Sequence, residues 1–299
     1  MSENKHLTPV WIAYVDGKRL DTEHEGALKR VTVNHRLNGV STFSMLFDSS
    51  AVKIRDKGAI TLESEISIHL GYKDDDSEVF KGEVMGFRAI LQEYGTETLE
   101  VTGCNALHRL NHGARYRNFE EKTPGAMIKE ILDSYSLKAE VDDFGPSYPF
   151  LAQQGQTDCD FVLKLAETYG KDVFAHGTSV YVADEITVNS DEVIFEWGKS
   201  LVSFEAEEDL TRLVSDSTCV GWDGMKNESF SGPAKMADLS LKIGGSNDWT
   251  KVSKGGGGKW MASSVDASLV DADDAKAAAL GFLQRNSFLF ARARGVAEG

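Results

Sequence analysis

Between Trp11 and Cys104 the apolar residues recur at every second position. Phe43, Met45 and Phe47, then Ile66, Ile68, Leu70 and Tyr72, then Leu99 and Val101, each alternate with polar neighbours. Strands that bury one face and wet the other have this period; a helix needs spacings of three and four. Trp11 to Val15 and Lys18 to Leu20 flank Asp16-Gly17, a pair suited to the positive backbone angles of a two-residue hairpin. Val31 and Val33 add a further strand, and Phe80, Val84 and Phe87 follow the acidic turn KDDDSE. About five to seven antiparallel strands in roughly a hundred residues predict a sandwich or a barrel.

The period then changes. Thr123 and Pro124 suit the cap and first turn of a helix, and Met127, Ile128, Ile131, Leu132 and Tyr135 form an apolar stripe at helical spacing. DDFGPSYPF reads as a turn-rich linker. Thr157 with Asp160 makes a capping box, and Phe161, Val162, Leu165 and Tyr169 share one helical face. Gly170 can end that helix in the left-handed conformation, after which Val173 to His176 and Val180 to Val182 form a hairpin around Gly177-Thr178. Strand signals return at Val193 to Trp197, Leu201 to Ala206 and Leu213 to Trp222. GGSNDWTKVSKGGGG is a flexible loop by composition. DADDAKAAALGFLQRNSFLF predicts a helix with acids at its positive end, and Phe288 to Val296 begins a strand. The fold class is therefore mainly β with an α+β insert: a first β region over 1–104, the insert over 105–186 and a second β region over 187–299.

With 299 residues the chain has room for about two domains with their own cores. Forty-seven acidic against thirty-two basic residues give a net charge of −15, which argues against a nucleic-acid-binding surface. Cys104, Cys159 and Cys219 are widely spaced and odd in number, as expected of reduced thiols made in a cytoplasm. MSENKHLTPV lacks the basic start and apolar core of a signal peptide, so a secretory route is not expected.

Candidate chemistry is sparse. GGGGK at 255–259 falls short of a phosphate loop, having Ser253 where the motif needs its first Gly and Trp260 where it needs Ser or Thr. KDDDSE lacks the alternating oxygen ligands and central Gly of a calcium loop. His108 and His112 are four apart but lack an intervening Glu and a third zinc ligand. Cys104 with His108 could be drawn as a nucleophile and base, but Cys104 ends an apolar strand. A glycosidase would need a defined carboxylate pair, and nothing singles one out. Trp222, Trp249 and Trp260 could stack on sugars, although such aromatics usually pack. No catalytic, cofactor-binding or metal-ligating residue is expected; the residues of interest are Phe80, Gly82 and Val84 in the first β region, and Phe161, Leu165 and Gly170 in the insert.

Four stretches carry a resemblance: ISIHLGYKDDDSEVFKGEVMGF (66–87), RNFEEKTPGAMIKEILDSYSL (117–137), TDCDFVLKLAETYGKDVFAHGTSVYV (157–182) and FEWGKSLVSFEAEEDLTRLVSDSTCVGWD (195–223). In order and spacing they resemble the hub proteins of contractile injection machines. These include phage late control protein D, the hub part of the type VI valine-glycine repeat (VgrG) proteins and the hub-spike of extracellular injection particles, with SFEAEEDLTRLVSDSTCVGWDGMKNE nearest the last.

The resemblance implies two tail-tube-like β-barrels per chain, linked by the insert, and a homotrimer whose six barrels match a sixfold tail tube above and carry a spike below. The unit from Thr157 to Asp184 would brace the two barrels. Expected partners are the inner tube ring, the spike or spike domain and other baseplate components, with no direct nucleic-acid or membrane binding. The particle would assemble in a bacterial cytoplasm and could act outside the cell, with an acidic lumen that lets cargo pass. The relatives continue through further strands and a spike, so the second barrel is expected to be incomplete here. The rival functions are a tail-associated peptidoglycan hydrolase and a carbohydrate-binding module.

Overall fold

The computed structural model describes residues 9–48, 58–72, 75–91, 97–184, 194–239 and 260–297. The first region comprises β1 (Pro9–Val15), β2 (Lys18–Arg19), helix α1 (Thr22–Ala27), β3 (Leu28–Asn34), β4 (Thr42–Phe47), β5 (Glu65–Tyr72), β6 (Asp75–Ile90) and β7 (Thr98–Cys104). They form one seven-stranded antiparallel sheet in the order β2-β1-β5-β6-β7-β4-β3. The predicted hairpin pairs Tyr14 with Arg19 and Val15 with Lys18, and both Asp16 (φ 48°) and Gly17 (φ 75°) take positive angles. β6 is long because it serves two partners: it pairs with β5 up to Glu83 and with β7 from Glu83 onward, its register shifting between Val84 and Gly86. Ala13 and Val15 of β1 share one core with Phe43, Met45 and Phe47 of β4, so the sheet curls until its two ends meet the same apolar cluster.

A closed barrel is not what the described residues form. No backbone pairing joins the outer strands β2 and β3 among them. The chain crosses from one to the other as α1, capped by Asp21, whose carboxylate accepts from the His24 N–H at 2.9 Å. Helical N–H groups bond within their own segment and cannot complete a ladder.

The middle region contains a 3-10 turn (Ala106–Asn111), β8 (Arg115–Lys122), α2 (Pro124–Ser134), β9 (Lys138–Val141), β10 (Tyr148–Gln156), α3 (Asp158–Thr168), β11 (Asp172–His176) and β12 (Ser179–Ala183). β10 pairs with β8, while β11-β12-β9 form a second small sheet in which β9 and β12 run parallel. Met127, Ile128, Ile131 and Leu132 of α2 and Phe161, Val162, Leu165 and Ala166 of α3 bury into one core with both sheets. Thr123 caps α2 by accepting from the Ala126 N–H at 3.2 Å. The linker expected over DDFGPSYPF gives way at Tyr148 to strand β10, because β8 offers that segment an edge to pair with.

Beyond it lie β13 (Leu201–Glu208), β14 (Asp216–Asp223), β15 (Glu228–Lys235), β16 (Met261–Val265), α4 (Ala272–Ser287) and β17 (Ala291–Ala297). These strands fall into two sheets, β13-β17 and β15-β14-β16, the latter containing a parallel pair, so they do not repeat the order of the first sheet. α4 buries Ala275, Ala279 and Leu283 with Cys219 of β14 and Ala234 of β15. Of the strand expected at Val193 to Trp197, Val193 lies outside the described residues and 194–197 form none beyond a single Trp197–Leu201 bridge. The strand expected from Leu213 starts at Asp216, since Leu213 instead packs in a small core with Met236 and Phe290. The loop GGSNDWTKVSKGGGG, the GGGGK run and Trp249 lie outside the described residues. Among the described residues no helix is long and apolar enough to cross a membrane.

Candidate functional site: the central brace

The segment from Thr157 to Ala183 touches both β regions of the chain. Its helix starts as predicted, with the Thr157 hydroxyl accepting from the Asp160 N–H at 3.0 Å and donating to the Asp160 carboxylate at 2.8 Å. It stops at Gly170 (φ 70°), where the Gly170 N–H bonds the Glu167 carbonyl and the Lys171 N–H bonds the Ala166 carbonyl. That pair of bonds is a Schellman stop, and it turns the chain directly into β11.

On one side the β11–β12 hairpin is tied to the first sheet. Asn38, held at φ 57°, donates its backbone N–H to the Val173 carbonyl at 2.8 Å, while its side chain accepts from the Val173 N–H and donates to Asp172, both at 2.7 Å. Asn105 donates to the Ala175 carbonyl at 3.3 Å, and His176 meets Glu78 of β6 at 2.9 Å. Arg109 and His108 of the 3-10 turn both face Glu83, the residue at which β6 changes partner.

On the other side α3 is tied to α4 through backbone contact. A methyl group on Gly281 would sit 2.5 Å from the Thr168 carbonyl and 2.6 Å from the Gly170 nitrogen, so only glycine allows the approach. Arg285, one turn on, donates to the carbonyl of Lys171 just past the end of α3 and shares the Glu167 carbonyl with the Gly170 N–H. Beneath this contact the Asp274 carboxylate, 2 % exposed, accepts from the Tyr169 hydroxyl at 2.7 Å, the Tyr148 hydroxyl at 3.2 Å and the Val270 N–H at 3.1 Å. Asp274 stands in the first turn of α4, where the helix dipole favours negative charge.

Burial pushes both tyrosine hydroxyls well above the usual phenol range; for Tyr169 the hydrogen bond to Asp274 adds to it, and for Tyr148 the contact with Tyr169 offsets part of it. A raised folded-state value means that the stabilisation is complete below the unfolded phenol pKa of about 10 and is lost progressively as pH rises above it. The chain is therefore expected to lose stability above about pH 10. Tyrosinate absorbance should show two of the eight tyrosines titrating only together with unfolding. Removal of both hydroxyls by Tyr148→Phe and Tyr169→Phe should flatten that alkaline slope, and an unchanged slope would refute the assignment.

A second buried polar cluster fixes the start of α3. Asp158, 2 % exposed, accepts from Tyr135 at 2.7 Å, from Gln153 at 2.9 Å and from Arg117, with Arg115 at 3.8 Å. Arg117 also donates to Gln153 at 2.8 Å, so β8, α2 and β10 meet on one carboxylate. Burial, with the hydrogen bond to Asp158, raises the Tyr135 phenol as well.

The six residues singled out in the sequence fall into two places. Phe80 and Val84 are buried in the first core, with the Phe80 ring 5.3 Å from Phe43, and Gly82 faces the β7 backbone so closely that a methyl group there would lie 2.3 Å from the Cys104 carbonyl oxygen. Phe161, Leu165 and Gly170 lie in the brace. Phe161, stacked on Phe119 at 5.5 Å, and Leu165 both border a groove of about 560 Å³ between β10, α3 and Asp266 to Ser268. The groove gives a charge at Leu165 a route to water that the fully buried Ala166 lacks. Leu165→Asp is thus expected to cost about 2–3 kcal/mol, and Ala166→Asp at least about 4 kcal/mol. Urea unfolding of the two variants checks the order, and equal losses would contradict it.

His108 bonds the Asn105 carbonyl at 2.9 Å and packs edge-on against His112, and burial raises the Cys104 thiol rather than activating it. The Cys159 thiol is pushed up to about 11 by burial. No group of His, Cys, Asp and Glu side chains with metal-holding geometry occurs among the described residues. Asp274, Tyr148, Arg285 and Asn38 were not singled out in the sequence. Gly281 could have been, since a lone glycine inside an alanine-rich helix costs stability unless another backbone comes close.

The family model described as the Alg8 N-terminal domain matches residues 6–263. No curated protein matches the sequence. Among solved structures the fold is similar to a 43 kDa tail protein of prophage MuSo2 from Shewanella oneidensis, at 14 % identity and a TM-score of 0.65 over 98 % of this chain and 83 % of that one. It is also similar to a tail protein from Neisseria meningitidis MC58, at 13 % identity and a TM-score of 0.58 over 93 % and 74 % of the two chains. A third likeness is to the prophage tail protein gp18 from Listeria monocytogenes, at 11 % identity and a TM-score of 0.51 over 95 % and 79 %. The chain thus has a phage-tail-protein fold.

Proposed function

We propose that this chain, which belongs to the Alg8 N-terminal domain family, is a structural baseplate hub of a contractile injection machine. The observation that carries the reading is the similarity to the MuSo2 tail protein over almost the whole chain. In this reading three copies form an adaptor between a sixfold inner tube and a spike. The chain divides into a first tube-like region over 1–104, an insert over 105–186 and a second tube-like region over 187–299. The separate apolar clusters of the three regions support that division. The two tube-like regions would line a channel by the curled first sheet and by the strands of the third region, completed by further strands or by neighbouring subunits. A Francisella PdpA–VgrG complex, at 11 % identity and a TM-score of 0.50 over 88 % of this chain and 45 % of that chain, supports a spike component as partner. No catalysis is assigned to the chain, and the net charge of −15 suits a wall that does not retain acidic cargo.

Deleting the gene in the producing cell and imaging the particles tests the reading. The expected result is loss of tubes that carry a spike-bearing baseplate, restored by the intact gene. Particles of normal form and yield without it would overturn the proposal.

A further inference from the structure

Asn38-Gly39 is the single Asn-Gly pair in the sequence. Asparagine is chemically labile, most of all before glycine, whose backbone nitrogen has no side chain beside it to hinder attack on the asparagine carboxamide. In the fold the pair stands between β3 and β4, and Asn38 takes the left-handed φ of 57° that asparagine tolerates better than most residues.

Asn38 pairs with β11 much as a strand would. Its backbone N–H donates to the Val173 carbonyl at 2.8 Å, and its carboxamide oxygen accepts from the Val173 N–H at 2.7 Å, so the side chain stands in for a second peptide unit. The carboxamide nitrogen donates to the Asp172 carboxylate at 2.7 Å, and the same carboxylate oxygen lies 3.9 Å from Arg285 of α4. The first region, the middle region and α4 therefore meet at one carboxylate, which the first region reaches through a neutral amide.

We propose that Asn38 is a site of spontaneous deamidation, held back by these bonds and turning a tie between regions into a repulsion once it reacts. The Gly39 nitrogen, losing its proton to hydroxide, attacks the Asn38 carboxamide carbon; the new C–N bond closes a succinimide as ammonia leaves with a proton from water. A further water opens the ring at either carbonyl and leaves aspartate or isoaspartate. The net change consumes one water and releases one ammonia, with no enzyme, oxidant or cofactor.

Attack requires the carboxamide to turn away from Asp172 and Val173, so the reaction passes through a locally opened joint and its rate is the opening equilibrium times the rate in a free chain. The product cannot resume the same place. A carboxylate at position 38 faces the Asp172 carboxylate where a donor had been, and isoaspartate also lengthens the backbone at the residue that pairs with Val173. Arg285 offsets little of this, because its guanidinium is already committed to the Lys171 carbonyl. The inference does not depend on the hub reading.

Peptide mapping by mass spectrometry at mildly alkaline pH follows the loss of ammonia at position 38. The native chain is expected to react at least about tenfold more slowly than the chain unfolded in guanidinium chloride, and Asp172→Ala, which frees the carboxamide, at least about threefold faster than the native wild type. A native rate equal to the unfolded one, or an Asp172→Ala rate no higher than the wild-type rate, would overturn the proposal. Hydrogen exchange of β11 reads the consequence, with circular dichroism to check that each variant is folded. Asn38→Asp should speed exchange at least about tenfold; Asn38→Gly, which accepts the same backbone angle and adds no charge, should speed it less. Combining Asn38→Asp with Asp172→Asn, which exchanges carboxylate and amide, should return exchange toward the wild-type rate. A folded Asn38→Asp chain that exchanges like the wild type, or an exchange of the two groups that restores nothing, would overturn the repulsion. All of these readings are made on the purified chain, so failure of the hub reading leaves them unchanged.

Discussion

Replacing Gly281 with valine is expected to pull α4 away from α3 and to destabilise the chain by at least about 3 kcal/mol. The clash is with backbone: a side chain at that position meets the Thr168 carbonyl, the Gly170 nitrogen and the Tyr169 carbonyl carbon, all within 2.8 Å. None of these can rotate aside, and Gly170 is itself committed to the φ of 70° that ends α3. The facing Gly170 is also tight, a methyl there lying 3.0 Å from the Gly281 Cα. Relief would therefore need α4 to move off α3, which breaks the bond of Arg285 to the Lys171 carbonyl and strains the seat of the Ala275–Lys276 backbone on Gly232. Denaturant unfolding should show the loss, and limited proteolysis should cut between the insert and α4 earlier than in the wild type. A Gly281→Val chain with wild-type stability would mean that the two helices do not touch in solution.

Asp274→Ala is expected to cost about 3–4 kcal/mol, because it leaves buried donors without an acceptor rather than merely removing a contact. The Tyr169 hydroxyl loses its shortest bond, Tyr148 keeps only its 2.8 Å contact with Tyr169, and the Val270 N–H before α4 is orphaned. A double-mutant cycle with Tyr169→Phe separates this from a simple loss of helix capping, since Asp271 still accepts from the residue 274 N–H at the N-cap. Coupling of at least about 1 kcal/mol is expected between the two positions. Additive losses would place the role of Asp274 in the helix alone.

Sequence reasoning reached the parts of this fold that local chemistry controls. The Asp16-Gly17 hairpin, the caps at Thr123 and Thr157, the stop at Gly170 and the Gly177 turn all occur where the residue types require them. The same reasoning failed where a segment takes its structure from something distant in the chain. Tyr148 to Gln156 looks like a continuation of a Gly- and Pro-rich linker, yet it is a strand because β8 pairs with it. Phe195 and Trp197 look like strand residues but stay exposed and, among the described residues, have no ladder to join. Asp274 reads as one more acid at a helix start, and nothing local says that two tyrosines more than a hundred residues earlier will close over it.

Alternation and helical spacing by themselves determined that the chain is strand-rich with a helical insert, since side-chain periodicity follows directly from backbone geometry. They also determined which faces are apolar. Tertiary structure alone decided that among the described residues the first sheet stays open across α1, that the strands of the third region fall into two small sheets, and that the middle region locks onto α4 through paired glycines and a buried carboxylate. Those outcomes depend on which surfaces meet and on where they leave no room for a methyl group, and no period along one chain encodes that.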